Sequence, residues 1–175
     1  MDSEAFAAVV GARVREARVE RGLSLGTLAA EAAIGKGSLS EIENGVRNPT
    51  LATLYALAGA LGLPLAALLA QQRGAMVESP GIAALLLDVT ADALGTVETY
   101  RLDLRAGQPH ASGAHGAGVT EVLLVTRGRI RAGRDGEEGE AGPGDVLEWV
   151  SDAPHGYLAL GGDASAVLVV TTPAR

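Results

Sequence analysis

Apolar positions recur at helical spacing through roughly the first 70 residues and at strand-like spacing afterwards. Phe6, Val9, Val10, Val14 and Ala17 fall on one face of a helix running from about Glu4 to Glu20, which Gly22 ends. Ser24 is a good N-cap for a second helix over about 25–33. A third helix runs from about Lys36 to Asn44, with Gly45 as the residue that closes it. Pro49-Thr50 precedes a fourth, about 51–61, and Gly62 and Pro64 separate it from a fifth, about Pro64 to Gln71. Beyond Pro80 the pattern changes to short runs over 82–89, 95–105, 119–126, 129–132, 137–141, 145–150, 156–160 and 164–172. Turn signals such as Arg127-Gly128, Asp135-Gly136 and Gly142-Pro143-Gly144-Asp145 separate them, which predicts an all-β sandwich or barrel. The expected organisation is a helical domain at 1–70, a linker at 71–80 whose closing proline forbids helix continuation, and a β domain at 81–175.

Composition sharpens this division. The 175 residues are 47% hydrophobic but only 3% aromatic, so the core is aliphatic. With 20% charged residues the chain is not of the disordered class. It has no cysteine, which excludes disulfides, thiolate metal sites and thiol catalysis. No uncharged apolar stretch reaches the roughly 18 residues of a membrane span, and MDSEAFAAVV carries acid where a signal peptide needs positive charge. A cytoplasmic protein without a membrane partner is expected. The net charge of -7 argues at first against nucleic acid. Residues 1–73, however, hold seven bases and seven acids, so the whole excess lies in the second half.

The stretch LGTLAAEAAIGKGSLSEIEN (25–44) has the layout of a DNA-reading helix pair. Leu28, Ala32, Ile34, Leu39 and Ile42 are apolar where two short helices must face each other, and Ala29 is small enough for a close crossing. Ser38, Ser40 and Glu41 lie on the outward face of the second helix, with Lys36 at its start, where a major groove would be read. Together with Ile42-Glu43-Asn44-Gly45, Asn48-Pro49-Thr50 and Leu54, this region resembles the Xre family of helix-turn-helix repressors over roughly residues 8–70. The resemblance implies a five-helix, lambda-repressor-like domain. In it Lys36, Gly37, Ser38 and Glu41 contact bases, while Arg47, Asn48 and Ser40 contact phosphates. A carboxylate only accepts hydrogen bonds, so Glu41 would favour a cytosine amino group.

Three positions depart from the family pattern. Ala33 stands where the turn usually has glycine, at a cost of about 1 kcal/mol if its backbone is left-handed. Gly35 replaces the usual serine or threonine cap, and Leu25 replaces a glutamine that often contacts phosphate. Structural roles compete with functional ones: Glu43 reads as a hydrogen-bonding anchor, and Glu41 as a base reader or a solvated acid. Arg13, Arg15 and Arg18 are expected to pair with Glu16 and Glu20 on a wet face.

All three histidines lie in the second half, at His110, His115 and His155. His115, Glu121 and Gly128, followed by Pro143-Gly144-Asp145 and Pro154-His155, resemble the two motifs of the cupin family over about residues 82–172. That implies a double-stranded β-helix, or jelly roll, and an α+β multidomain chain. The second histidine of the first cupin motif is Ala117 here. Three readings of His115, Glu121 and His155 remain open. With water or His110 they bind a divalent metal, or they orient a small ligand in a metal-free pocket, or they are polar groups without a ligand role. Arg101, Trp149 and Tyr157 are further candidates for the pocket wall.

The combination is similar to a class of bacterial one-component regulators. It implies a homodimer bound to double-stranded operator DNA, a cupin that senses a small-molecule effector, and repression as the expected sign. The alternative is a metal-dependent cupin enzyme with an accessory helical domain. A neutral reading half predicts weak non-specific DNA binding and reliance on two half-sites about 10 bp apart or a multiple of that.

Overall fold

A computed structural model describes residues 3–69 and 73–174. The chain divides into two compact units, 1–72 and 73–175.

The first unit has α1 (Ser3–Glu20), α2 (Leu25–Glu31), α3 (Lys36–Glu43), α4 (Leu51–Leu61) and α5 (Leu65–Leu68). Local chemistry sets the boundaries. Ser24 Oγ accepts from the Thr27 amide at the start of α2, and Thr50 does the same for Thr53 at α4. Gly62, left-handed at φ 62°, ends α4. Val10, Val14, Leu28, Leu39, Leu54, Leu57 and Leu61 are buried and form the aliphatic core expected from the low aromatic content. Two glycines let the helices close up. A Cβ on Gly11 would collide with the Ile42 carbonyl, and one on Gly45, at φ 69°, would press on Ala8. α5 is shorter than expected because Leu69 already has the flattened geometry of a cap (φ -81°, ψ 12°). Gln71 and Gln72, expected in that helix and at the head of the linker, lie outside the described residues.

The second unit has β1 (Met76–Ser79), β2 (Ile82–Asp92), β3 (Gly95–Leu104), β4 (His110–Ser112), β5 (Thr120–Arg127), β6 (Ile130–Arg134), β7 (Gly139–Ala141), β8 (Val146–Val150), β9 (His155–Ala159) and β10 (Ala164–Pro173). One sheet has the order β1-β2-β3-β10-β5-β8 and the other β4-β9-β6-β7, with every named strand pair antiparallel. This is a two-sheet barrel of the cupin jelly-roll type, so the chain is α+β as expected. Tyr100, Leu102, Leu104, Leu123, Ile130, Ala166 and Leu168 fill its interior. Two strands correct the sequence reading. Met76–Ser79, expected as linker, pairs with β2 as an edge strand of the barrel. His110–Ser112, which falls outside the predicted runs, forms β4 against β9. No helix among the described residues is long and apolar enough to cross a membrane.

Candidate DNA interface and barrel site

α3 divides cleanly between its two sides. Leu39, Ile42 and Glu43 are buried, while Lys36, Gly37 and Glu41 are exposed and Ser38 and Ser40 half-buried. Seven- and eight-residue helices joined through Ala33 place that polar side outward. Ala33 has φ 51°, the left-handed conformation anticipated for a glycine position, and the non-side-chain cap falls on Gly35. Arg47 is exposed and folds back over α3: its Nη1 donates to Ser38 Oγ at 3.2 Å and lies 3.4 Å from Glu41 Oε2. Ser38, Arg47 and Asn48 line one hollow with Thr50 and Thr53. The Ser40 carbonyl accepts from Asn44 Nδ2 at 2.9 Å, which fastens the end of the helix.

Arg18 departs from the wet-face expectation. Its Nε donates to Glu43 Oε1 at 2.6 Å, its Nη2 to Glu43 Oε2 at 2.8 Å, and its Nη1 to the Leu23 carbonyl at 2.9 Å. The fork is largely buried and ties α1 to α3. Arg13 does reach Glu16, at 3.4 Å, as an exposed pair.

In the barrel, His115, Glu121 and His155 converge, with one donor atom from each lying within 4.8 Å of the others. Glu121 is on β5, in register with Trp149 of β8. His155 opens β9, and His115 is held just before β5 by its amide hydrogen bond to the Ser151 carbonyl at 2.7 Å. Glu121 is fully buried, and four groups surround its carboxylate. His115 Nδ1 lies at 2.8 Å and His155 Nε2 at 3.2 Å from Oε1. Ser151 Oγ donates to Oε1 at 2.8 Å, and the Tyr157 hydroxyl donates to Oε2. His155 Nδ1 lies 3.1 Å from the Ala153 carbonyl, which orients the ring.

These contacts separate the histidines. Burial pushes Glu121 upward, but the hydrogen bonds from His115 and His155 outweigh it and hold the carboxyl well below its ordinary range. Burial also pushes His155 down, but the Glu121 hydrogen bond and charge overcome it and raise its pKa. For His115 burial prevails and the pKa falls despite Glu121. His110 is lowered to about 4 by burial and by the neighbouring His155 and His115. The surroundings therefore favour the charged forms of Glu121 and His155 and the neutral forms of His115 and His110.

Other candidate residues fall on both sides of the expectation. Trp149 and Tyr157 do line the interior: their ring centroids are 5.8 Å apart and lie 6.0 and 5.9 Å from His155. The buried Trp149 indole N–H has no acceptor among the described residues. His110 stands beside Tyr157 on β4, at 6.2 Å between rings, with Ser112 Oγ 3.3 Å from its Nε2. It is not among the converging donor atoms, so it does not take the place left by Ala117. Arg101 must be withdrawn from the pocket. It sits on the outer face of β3, about half exposed, and pairs with Asp103 at 3.0 Å. The inward positions of β3 are Glu98, Tyr100, Leu102 and Leu104, and Tyr100 donates to the buried Glu98 at 2.8 Å. Glu98, Ser151 and Ser112 are interior polar residues that the motif reading missed; alternation against Tyr100, Leu102 and Leu104 marks Glu98 as inward.

The helix-turn-helix family profile matches residues 14–68. The chain is 27% identical over 158 residues to the Escherichia coli HTH-type transcriptional regulator SutR, covering 88% of this chain and 89% of that one. It is 36% identical over 110 residues to the HTH-type transcriptional regulator DdrOP3 of Deinococcus deserti, covering 55% of this chain and 82% of that one. Among solved structures, the crystal structure of an HTH_3 family transcriptional regulator from Vibrio cholerae superposes with a TM-score of 0.88 at 27% identity, covering 99% of this chain and 100% of the other.

Proposed function

Because the chain belongs to the Xre-type helix-turn-helix family of transcriptional regulators, we propose that it represses transcription as a homodimer bound to a two-fold operator, with a small-molecule effector taken up by the barrel. Lys36, Gly37, Ser38 and Glu41 read bases, and Arg47, Asn48 and Ser40 hold the phosphates. The observation that carries this reading is the division of α3: a side packed on the helical core and an opposite polar side within reach of Arg47. The helices bring a neutral surface to DNA, so two copies are needed for useful affinity. The outer face of the larger sheet supports pairing: Val97, Leu124, Val146 and Val150 are exposed there on three of its strands. An effector acts by favouring one arrangement of the two copies over another.

Selection of bound sequences from random duplexes by the purified chain tests the DNA half. The expected result is an enriched inverted half-site. Lys36→Ala and Glu41→Ala then change the preferred bases, whereas Arg47→Ala weakens all sequences alike. Absence of any enriched site would refute the reading.

A metal-bound barrel is a second reading, favoured by the convergence of His115, Glu121 and His155. Two imidazoles and a carboxylate suit zinc or another divalent first-row ion, which would act as a Lewis acid or as an anchor for an effector's oxygen. The His155–Ala153 contact is the kind of support such a ligand needs. The relatives are transcriptional regulators, and that supports a sensing role over catalysis. Metal analysis of protein prepared without chelators distinguishes the two. Stoichiometric metal lost in His115→Ala and His155→Ala establishes the metal site, and its absence leaves the cluster as a hydrogen-bonding site.

A further inference from the structure

A cavity of about 300 Å³ opens at the seam where β8, an edge strand of the larger sheet, passes the β6–β7 hairpin of the other. It is at the small end of the roughly 300–1,000 Å³ typical of ligand sites. Arg134, Trp149, Leu147 and Ala132 line it, together with Glu137 and Glu148. Two relations connect it to the buried cluster. Arg134 is the register partner of His155 across β6 and β9, so it shares the inward face at the barrel end. Trp149 lines the cavity, and its ring lies 6.0 Å from that of His155. The only ion pair of Arg134 among the described residues is a long one, 3.4 Å to Asp152, and neither side chain is buried. A guanidinium fork held that loosely is available to a better-shaped oxyanion.

The geometry points to this seam cavity as the effector site and to a small monocarboxylate as the effector class. The inference rests on the sensing reading of the barrel. The carboxylate lies against Arg134, displacing Asp152, and the apolar part of the ligand packs on Trp149 and Leu147. Glu137 and Glu148 in the same lining disfavour each further negative charge, so a single carboxylate on an uncharged skeleton is a better fit than a polyanion. Occupancy at Arg134 acts on the β6–β9 register next to His155, and so on the hydrogen bonds closing Glu121.

Trp149 is the chain's single tryptophan, so its emission reports the cavity directly. The test titrates the full chain with acetate, benzoate and benzamide while following that emission, and measures affinity for the selected operator in parallel. A saturable shift is expected with at least one of the two carboxylates, with benzamide weaker by about tenfold or more. Arg134→Gln should weaken the carboxylate response about tenfold. Asp152→Asn, which frees Arg134, should strengthen it several-fold, a gain that misfolding cannot mimic. No saturable response to either carboxylate, or an equal response in Arg134→Gln, overturns the assignment. A response that depends on Arg134 without any change in operator affinity keeps the carboxylate site and overturns the sensing reading instead. Operator affinity that responds equally in wild type and Arg134→Gln keeps sensing and overturns this site.

Discussion

Glu43 in the helical unit and Glu121 in the barrel are both buried carboxylates, and they are closed off in opposite ways. Glu43 receives a bidentate fork from Arg18, at 2.6 and 2.8 Å. Arginine does not deprotonate in proteins, so the cation of the fork is permanent and its planar geometry is fixed. Glu121 is closed by Ser151, Tyr157, His115 and His155, two hydroxyls and two titratable rings. Each of these four can rotate or exchange a proton, so the same burial leaves a site that ligands and protons can reorganise. A permanent counter-ion makes a structural anchor, whereas a set of titratable donors makes a responsive centre. On the proposed reading the helical unit needs the first, because α3 has to hold a fixed angle to the groove. The barrel needs the second if it is to respond to anything.

The largest expected effect breaks the anchor. Arg18→Ala leaves Glu43 buried without its cation and should destabilise the helical unit by about 3–5 kcal/mol. Far-UV circular dichroism should show early loss of helix while Trp149 emission still reports a folded barrel. If both signals melt together and no earlier than in wild type, Glu43 is not an anchor and the contrast fails.

Acid is the next lever, and it acts on the barrel because no histidine lies in residues 1–73. His110 is lowered in the folded state from 6.5 to about 4. A depressed histidine contributes stability that is full above its unfolded value of about 6.5 and is lost as pH falls toward the folded one, here about 3 kcal/mol. His115 is shifted the same way, and His155, being raised, works in the opposite direction and stabilises on the acid side. The barrel's melting temperature should therefore fall between pH 6.5 and 4. His110→Asn should flatten that fall, and an unchanged slope in the variant would show that His110 is not its source.

Much of this contrast is legible in the sequence. The resemblance of the segments holding His115, Glu121 and His155 to the two cupin motifs implies a shared site for these residues, and the structure brings them together. Glu43 read as structural because its helical period puts it on the same side as Leu39 and Ile42. Its partner was missed, because Arg18 lies 25 residues away and sequence-local acids at Glu16 and Glu20 looked sufficient. Arg101 was misplaced although β3 alternates clearly: Tyr100, Leu102 and Leu104 face in, so Arg101 faces out. Arg134 has no motif around it, and its position depends on the pairing of β6 with β9, which no local pattern specifies. β1 and β4 escaped for a related reason, since strands of four and three residues carry too few alternating positions to register.

A smaller effect separates the four donors of Glu121. Tyr157→Phe removes one hydroxyl from a buried, charged acceptor and keeps the ring packing, so a loss of about 2 kcal/mol is expected. Thermal melting followed at Trp149, whose ring is 5.8 Å away, measures it. A loss as large as that of Arg18→Ala would mean that the barrel's carboxylate depends on a single partner too.

The smallest effect concerns the turn of the helix pair, where strain rather than charge is at issue. Ala33 holds φ 51° and is exposed. A left-handed alanine costs roughly 1–2 kcal/mol, and glycine removes that cost. Glycine also gains freedom in the unfolded chain, which returns about 0.4–1 kcal/mol of the benefit. Ala33→Gly should therefore stabilise the helical unit by about 0.5–1 kcal/mol and leave the barrel's transition unchanged, as differential scanning calorimetry would resolve. Operator affinity should stay level or drop slightly, because glycine loosens the turn that holds α3 to one angle while the strain itself makes no contact with DNA. A destabilised helical unit would show that the left-handed turn is not retained in solution, and the fixed angle of α3 would then rest on the Arg18–Glu43 fork alone.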